Sequence, residues 1–232
     1  MKNIFLNALR TLAQKSGGSR EENAHEERAT FVQEDDVEAL KKFKSAATKG
    51  DAAAQFALGS IYSTGEGVMQ DFTEAVHWYQ LAALQGHASA QSNLGLMYEK
   101  GQGVLQDYTE ALNWYLRAAL QGQGGAQFNL GLMHERGKSV TQDFAEALKW
   151  YLLAASQGQG SAQGNLGVMY AKAEGVLTDY QSAHMWFNIA AAAGNSVAIM
   201  NRDAMTQHMS VQQISDAQKM ARDWQAGRLL AA

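Results

Sequence analysis

The chain's 232 residues include no cysteine, so the main candidates for metal binding and acid–base chemistry are its histidines and carboxylates. Disulfides, thiolate zinc sites and cysteine nucleophiles are therefore excluded. His87 and His184 have no second ligand at the spacing that a zinc site needs. We interpret the histidines as structural or surface residues, and we expect neither a metal site nor a bound cofactor.

Neighbouring acidic residues are the other candidates, since paired carboxylates can act as general acid and base. The pairs are Glu21 with Glu22, Glu26 with Glu27, and Asp35 with Asp36. A charged linker and the start of a helix explain these pairs better than catalysis does. No arrangement of serine, histidine and acid stands out, and the glycine-containing turns do not match a phosphate-binding loop. The sequence therefore predicts a protein that is not an enzyme.

Composition restricts the partners as well as the chemistry. The formal net charge is -4 and the pI is about 5.9, whereas modules that bind nucleic acid usually carry a clustered positive field. We therefore expect no nucleic-acid partner. No segment approaches the roughly 20 consecutive apolar residues of a membrane-spanning helix. Hydrophobic residues make up 46% of the chain, which is enough for a core, and the absence of proline favours long helices.

A repeat of 36 residues organises most of the sequence. It is marked by three residue types at a fixed step: Gly50, Gly86, Gly122, Gly158 and Gly194; Trp78, Trp114, Trp150 and Trp186; Asp71, Asp107, Asp143 and Asp179. A single unit of this length cannot bury its own apolar face, so the units must stack on one another. The predicted fold is all-α, a superhelix of helix-turn-helix units.

Each unit is predicted to hold two helices, which we call helix A and helix B. In the second unit, Ala90, Leu94 and Tyr98 recur on one face of helix A, and Gly101 is placed to end that helix. Asp107 then begins helix B, which is predicted to end before Gly122. Glu110 follows Asp107 at the spacing of a capping box. The apolar face of helix B comprises Ala111, Trp114, Tyr115, Ala118 and Ala119.

A glycine occupies the middle of every helix A, at Gly59, Gly95, Gly131 and Gly167. Such a glycine costs about 1 kcal/mol relative to alanine, so its recurrence predicts close packing of helix B against this point. A position that varies between units, by contrast, is not expected to be packed in the core. His77, which is replaced by Asn113, Lys149 and Met185 in the other units, is expected to face solvent.

The repeat array is predicted to span residues 34–227. A lone helix B at 35–49 opens it, four repeats occupy 50–193, and a C-terminal cap follows at 194–227, where the pattern decays. Ser210 and Gln213 predict the start of an amphipathic helix in the cap. Its apolar residues are Val211, Ile214, Ala217, Met220, Ala221 and Trp224. Residues 228–232 form a tail.

Residues 1–33 precede the array and are predicted to form an amphipathic helix followed by a polar linker. Ile4, Phe5, Ala8, Leu9 and Leu12 make its apolar face. The segment is similar to the start of a signal peptide, but polar residues interrupt it and no cleavage site follows, so we expect it to be retained. We expect this helix to fold back on the array or to fray; the alternative is contact with a membrane or a partner through residues 1–15.

The unit A-Q-x-N-L-G-x-M-Y, then G-x-G-V-x-x-D, then A-x-x-W-Y-x-x-A-A-x-x-G, resembles the Sel-1-like repeat, a relative of the tetratricopeptide repeat. The resemblance extends over roughly residues 35–227. Ser139 and Ala173 replace turn glycines, so we expect altered turns in the third and fourth units. The resemblance implies a right-handed α/α superhelix that acts as an adaptor or scaffold for protein complexes, often in bacterial signalling, envelope or host-contact roles.

Helix A lines the inside of the superhelix in related repeats, which places one asparagine and one methionine of each unit near the concave groove. These residues are Asn93, Asn129 and Asn165 with Met97, Met133 and Met169. Amides can pair with an extended peptide backbone, and thioethers adapt to varied apolar side chains. The alternative for each asparagine is a hydrogen bond to a neighbouring helix end. Gln91, Gln127 and Gln163 are weaker candidates, because a residue beside the core alanine can simply brace adjacent repeats.

We therefore predict a non-enzymatic scaffold or adaptor that binds a protein or peptide in the concave groove. One alternative is a membrane-associated assembly factor that uses the N-terminal helix. A second is a hydrolase acting on cell-wall-type substrates, which is disfavoured because no nucleophile pocket is evident. The expected location is the cytoplasm, with the periplasm or secretion as the alternatives.

Overall fold

The computed structural model describes residue 41 and residues 43–227. Within this part of the chain every regular element is a helix. The predictions for the N-terminal amphipathic helix, the polar linker, the first part of the lone helix B and the tail lie outside the described residues. Residues 43–48 are helical and form the described end of that lone helix.

Four pairs of helices form the repeats. Helices A are α1 (Ala52–Thr64), α3 (Ala88–Lys100), α5 (Gly124–Arg136) and α7 (Gly160–Lys172). Helices B are α2 (Phe72–Leu84), α4 (Tyr108–Leu120), α6 (Phe144–Ser156) and α8 (Tyr180–Ala192). Each helix packs on the one before it and the one after it, so the repeats form an all-α solenoid, as the sequence predicts. After them come α9 (Ser196–Met205), a 3-10 turn (Thr206–His208) and α10 (Val211–Gln225).

An aspartate begins every helix B, but the predicted capping box forms only in half. The Asp107 carboxylate accepts the backbone N–H of Glu110 at 3.0 Å. The backbone N–H of Asp107 donates instead to the carbonyl of Tyr98, also at 3.0 Å, so it is not available to the Glu110 side chain. This backbone hydrogen bond between helix A and the start of helix B therefore takes the place of the second half of the capping box. A complete capping box does form at Ser210 and Gln213, as predicted.

The glycine in the middle of each helix A lies directly against an aromatic ring of helix B. A Cβ placed on Gly95 would lie 2.8 Å from Cδ1 of Tyr115 and 3.2 Å from the carbonyl oxygen of Ala111. The corresponding distances to Tyr79 at Gly59 and to Phe187 at Gly167 are 2.5 and 2.6 Å. Since nearly all real Cβ contacts are longer, only glycine fits this close approach. The predicted tight packing is confirmed.

The turns of the third and fourth units keep the conformation of the other turns, contrary to the expectation of altered turns. Ser139 has a φ of 56°, in the same left-handed region as the 72° of the equivalent Gly103. Ala173 has a φ of 61°, close to the 64° of the equivalent Gly101. An L-residue in this left-handed region costs about 1–2 kcal/mol. Packing between helix A and helix B therefore imposes the turn geometry even where glycine is missing.

A chain of amide hydrogen bonds, here called the glutamine relay, joins successive repeats. The glutamine after the core alanine of each helix A donates its Nε2–H to the carbonyl of a buried alanine in the preceding helix B. The four pairs are Gln55 to Ala47, Gln91 to Ala83, Gln127 to Ala119 and Gln163 to Ala155, at 3.0 to 3.2 Å. These glutamines therefore brace adjacent repeats.

The amide oxygens of the relay glutamines accept hydrogen bonds from a second row of glutamines, one at the end of each of the first three helices B. Gln85, Gln121 and Gln157 donate to the amide oxygens of Gln55, Gln91 and Gln127 at 2.7, 2.7 and 2.6 Å. Each relay glutamine in the first three units is thus held by a donated and an accepted hydrogen bond.

The C-terminal helices cover the last repeat. The Trp186 ring in α8 packs edge-on against Trp224 in α10, with 4.7 Å between ring centroids. Met185 is buried because α10 packs on α8, so the expectation that its position faces solvent holds for exposed His77 but is wrong for Met185. Val211 begins α10 and is 86% exposed, so the predicted apolar face of that helix starts after it.

Candidate functional site: the asparagine row

The asparagine row comprises Asn93, Asn129 and Asn165, which occupy the same place on α3, α5 and α7. All three side chains are half-buried, and each neighbours a fully buried leucine and glycine in its helix. The helices hold them at equivalent points of successive repeats. The row therefore presents one partly accessible amide per unit.

The methionines that accompany these asparagines are in the core rather than on the groove surface. Met97, Met133 and Met169 are 5%, 1% and 1% exposed. Each lies three residues after the core leucine of its helix, on the same apolar face, so its side chain packs toward helix B. The structure thus departs from the expectation that these thioethers project into the groove.

The middle asparagine belongs to a polar cluster that joins two repeats. Tyr115 donates its hydroxyl hydrogen to the Glu99 carboxylate at 2.9 Å, and the Asn129 side chain of the next repeat lies near the same hydroxyl. Burial, the Glu99 charge and the hydrogen bond to Glu99 raise the pKa of Tyr115 well above its ordinary value, while Asn129 lowers it. Tyr115 therefore stays protonated and acts as a donor rather than as a base.

The next repeat boundary repeats this cluster. Tyr151 donates to the Glu135 carboxylate at 2.6 Å, and the Asn165 side chain lies near the Tyr151 hydroxyl. Burial and Glu135 raise the pKa of Tyr151, while Asn165 and the charge of Arg136 lower it. Asn129 and Asn165 therefore each lie near a tyrosine hydroxyl of the preceding repeat, and their predicted roles, binding a partner or bonding a helix end, stay predictions. Glu99 and Glu135 belong to the site but were not predicted from the sequence.

The two end repeats lack the carboxylate of this cluster. In the first repeat the Tyr79 hydroxyl lies 3.1 Å from the Ser63 hydroxyl and 3.3 Å from that of Ser60. In the fourth repeat the tyrosine is replaced by Phe187 and the glutamate by Ala171. A carboxylate therefore lies beside the second and third members of the asparagine row, and the Lys138 ammonium lies 3.8 Å from the first of these carboxylates, Glu99.

Space for a ligand exists beside the last member of the row. Asn165 and Val168 line two cavities of about 220 and 230 Å³. The first is also lined by Ser161, Gly164 and Asn201, and the second by Glu135, Lys172 and Glu174. One cavity is therefore neutral and the other contains both signs of charge, and the Asn165 amide is available to groups in either.

The histidines of the described chain serve the fold. His87 accepts the backbone N–H of Ala90 at 3.2 Å through Nδ1, which caps α3, and its ring stacks on Phe56. His184 is 2% exposed, its Nδ1 has no partner among the described residues, and burial lowers its pKa. Within the same residues, no three metal-ligating side chains come together.

An exposed apolar position recurs in the turns between helix A and helix B. Met69, Leu105 and Leu177 are 91%, 92% and 89% exposed at the 36-residue step. Thr141 interrupts this series in the third unit, and these turns were predicted only to end helix A. In the part of the chain that the structure describes, no helix combines the length and hydrophobicity needed to cross a membrane.

Sequence and structure comparisons identify related proteins. The Sel1 repeat pattern matches residues 52–87, 88–123, 125–159 and 160–195. A Sel1 repeat protein from Oxalobacter formigenes is 33% identical in sequence, and the match covers 82% of this chain and 76% of that protein with a TM-score of 0.70. No curated protein matches significantly.

Two further solved structures share the architecture. A protective antigen of uropathogenic Escherichia coli that displays an SLR fold is 28% identical, with a TM-score of 0.55; the match covers 83% of this chain and 49% of that protein. An immunity protein from Pseudomonas aeruginosa is 19% identical, with a TM-score of 0.50 and coverage of 87% and 77%, and shows a likeness of fold only. Because the four matched units span more than half of its residues, the chain belongs to the Sel1 repeat family, whose members generally act as non-catalytic protein-interaction scaffolds.

Proposed function

We propose that this protein is a scaffold that binds an extended segment of a partner protein along the asparagine row. The observation that carries the proposal is the position of Asn165, whose half-buried side chain lines two cavities large enough for side chains of a bound peptide. Asn93 and Asn129 repeat the same placement in the two preceding units. A row of this kind suits a ligand that extends along the stack.

The chemistry of the row matches a polypeptide backbone. A carboxamide has two N–H donors and an oxygen acceptor, so each asparagine can pair with both an N–H and a C=O of a bound backbone. Partial burial restricts the amide, so less conformational entropy is lost when a ligand binds. Lys138 lies 3.8 Å from Glu99 and balances its charge, so the row suits a polar backbone rather than a strongly basic segment. The three methionines support the row from the core beneath it.

The proposal is tested by capturing partners from the native cell lysate with the full-length protein and two variants. The test variant is the double substitution Asn129→Ala and Asn165→Ala. The matched control is Asn113→Ala, which removes the same amide from an exposed position of α4, outside the row. Helix content and the midpoint of thermal unfolding are measured for all three, so that a loss of folding is not mistaken for a loss of binding.

We expect proteins that are retained by the wild type and by Asn113→Ala but lost, at least about tenfold, with the double variant. Each lost amide contact is worth about 1 kcal/mol, so two of them give roughly this factor. Equal retention by the folded double variant would contradict binding along the row. Retention that also fails with Asn113→Ala would assign binding to helices B.

A further inference from the structure

The glutamine relay is complete in three units and broken in the fourth. Gln163 donates to the carbonyl of Ala155 at 3.2 Å, like its counterparts. The residue 36 positions after Gln157 is Ala193, which has no amide to donate to Gln163. As a result, the Oε1 atom of Gln163 has no hydrogen-bond partner among the described residues, although the side chain is only 4% exposed. A buried acceptor left in this state destabilises the protein unless another donor reaches it.

A cavity of about 330 Å³ lies where the missing side chain would be. Gln163 and Ala193 both line it, together with Ile189, Trp224 and Gln225. The wall made by Ile189 and Trp224 is apolar and suits methylene groups, and Gln163, whose buried Oε1 is unpaired, lines the same space. Here we call this cavity the amide socket.

The chain itself shows which group fits such a site. In the first three repeats the same acceptor takes an N–H from the carboxamide of the glutamine that ends the repeat, at 2.6 to 2.7 Å. The residues lining the amide socket include no charged side chain. An ammonium group would lose its hydration there without gaining a counter-ion, whereas the desolvation of a neutral carboxamide costs much less. A neutral N–H donor is therefore favoured over lysine.

We propose that the amide socket binds the side-chain carboxamide of a glutamine in a partner polypeptide. The partner's glutamine takes the place that Gln85, Gln121 and Gln157 occupy in the first three repeats, with its N–H on Oε1 of Gln163 and its methylene groups against Ile189 and Trp224. The socket involves no member of the asparagine row, so this contact is independent of the function proposed above and survives if that proposal fails.

The experiment is an NMR titration of the full-length, isotopically labelled protein with N-acetyl-glutamine N-methylamide. The signals followed are the indole N–H of Trp224, assigned with a Trp224→Phe variant, and the side-chain amide of Gln163. The matched probe is N-acetyl-glutamate N-methylamide at pH 7, which has nearly the same shape but no side-chain N–H. The matched variant is Ala193→Gln, which places the chain's own amide in the socket.

We expect saturable shifts of both signals with the glutamine probe, with a dissociation constant in the millimolar range. Binding should be at least about tenfold weaker for the glutamate probe, and it should weaken similarly in Ala193→Gln. The proposal is overturned by equal binding of the two probes to the wild type. It is also overturned by unchanged binding in folded Ala193→Gln or by the absence of any saturable shift. The comparison of two probes on the wild type decides the question even if the variant does not fold.

Discussion

The boundary between the second and third repeats and the boundary after the fourth repeat share a backbone arrangement but differ in their side chains. At the end of the second repeat, Gln121 completes the relay by donating to Gln91 of the same repeat, and Tyr115 donates to Glu99 and lies near Asn129. At the end of the fourth repeat, Ala193 and Phe187 provide neither contact. Helix α10 covers α8 there instead, and Trp224 packs against Trp186.

This difference separates what the fold requires from what it tolerates. The glycine under an aromatic ring is kept at both ends of the array, as Gly59 with Tyr79 and Gly167 with Phe187. The polar contacts are lost at the last boundary, but the helices of the fourth repeat still pair as they do in the other repeats. Shape complementarity therefore defines the stack, while the polar groups stabilise it and mark the surfaces available to partners.

The largest effect is expected from filling the space under a ring. Gly95→Ala should lower the free energy of unfolding by about 2 kcal/mol, because overpacking outweighs the gain in helix propensity. The matched control is Gly160→Ala, whose new Cβ would meet only the Ala193 Cβ at 3.6 Å. Urea unfolding checks both variants. A Gly95→Ala protein as stable as the control would contradict the role given to shape.

A smaller loss is expected when an inner boundary is made to resemble the last one. Tyr151→Phe removes the hydroxyl that donates to Glu135, and it should cost about 1.5 kcal/mol, which is typical of a hydrogen bond to a charged group. The reverse change, Phe187→Tyr, should bring no gain because the fourth repeat has Ala171 in place of the glutamate. Thermal unfolding of the two variants measures the asymmetry, and a gain from Phe187→Tyr would argue against it.

The last boundary should also respond to pH through His184, which replaces the apolar Val76, Leu112 and Leu148 of the other units. Burial and the Arg202 charge lower the pKa of His184, while Asp203 raises it. The unfolded chain therefore takes up a proton near pH 6.5 before the folded chain does, and stability falls as the pH drops below this value.

His184→Leu should remove this dependence and raise the free energy of unfolding by about 1 kcal/mol at pH 7, since it also removes an unpaired nitrogen. The measurement is urea unfolding of both proteins between pH 7.5 and 5, a series whose pH values are chosen to span roughly the ordinary histidine pKa. The advantage of the variant should grow as the pH falls. A constant difference would show that His184 does not titrate differently on folding.

A substitution in a turn should raise the free energy of unfolding by a similar amount. Ala173→Gly should stabilise the protein by about 1 kcal/mol, because glycine adopts the left-handed conformation without the cost that alanine bears. Gly101→Ala, the reverse change at the matching position of the second unit, should destabilise by a similar amount. Differential scanning calorimetry of the pair provides the test, and a loss in both variants would contradict the strain assigned to Ala173.

The period of the sequence was sufficient to predict the helices, their aspartate caps and the packed glycines, since these features depend on local chemistry repeated at 36 residues. Burial of Met133 was also readable, because it lies three residues after Leu130 on the core face. The Tyr115–Glu99 bond and the Gln121–Gln91 bond join residues 16 and 30 positions apart, so they require the folded arrangement of helices. The unpaired acceptor of Gln163 could be found only after these partners were known.

The most direct test of the account is the pair of opposite substitutions Gln157→Ala and Ala193→Gln, which lie 36 residues apart at equivalent positions. The first should break the relay at Gln127 and lower the free energy of unfolding by about 0.5–1 kcal/mol, and the second should complete it at Gln163 and raise that free energy by a similar amount. Urea unfolding of both proteins under one set of conditions gives the two values. Changes of opposite sign are the predicted result, and a loss of stability in both variants would contradict the relay as the contact that distinguishes the last boundary from the others.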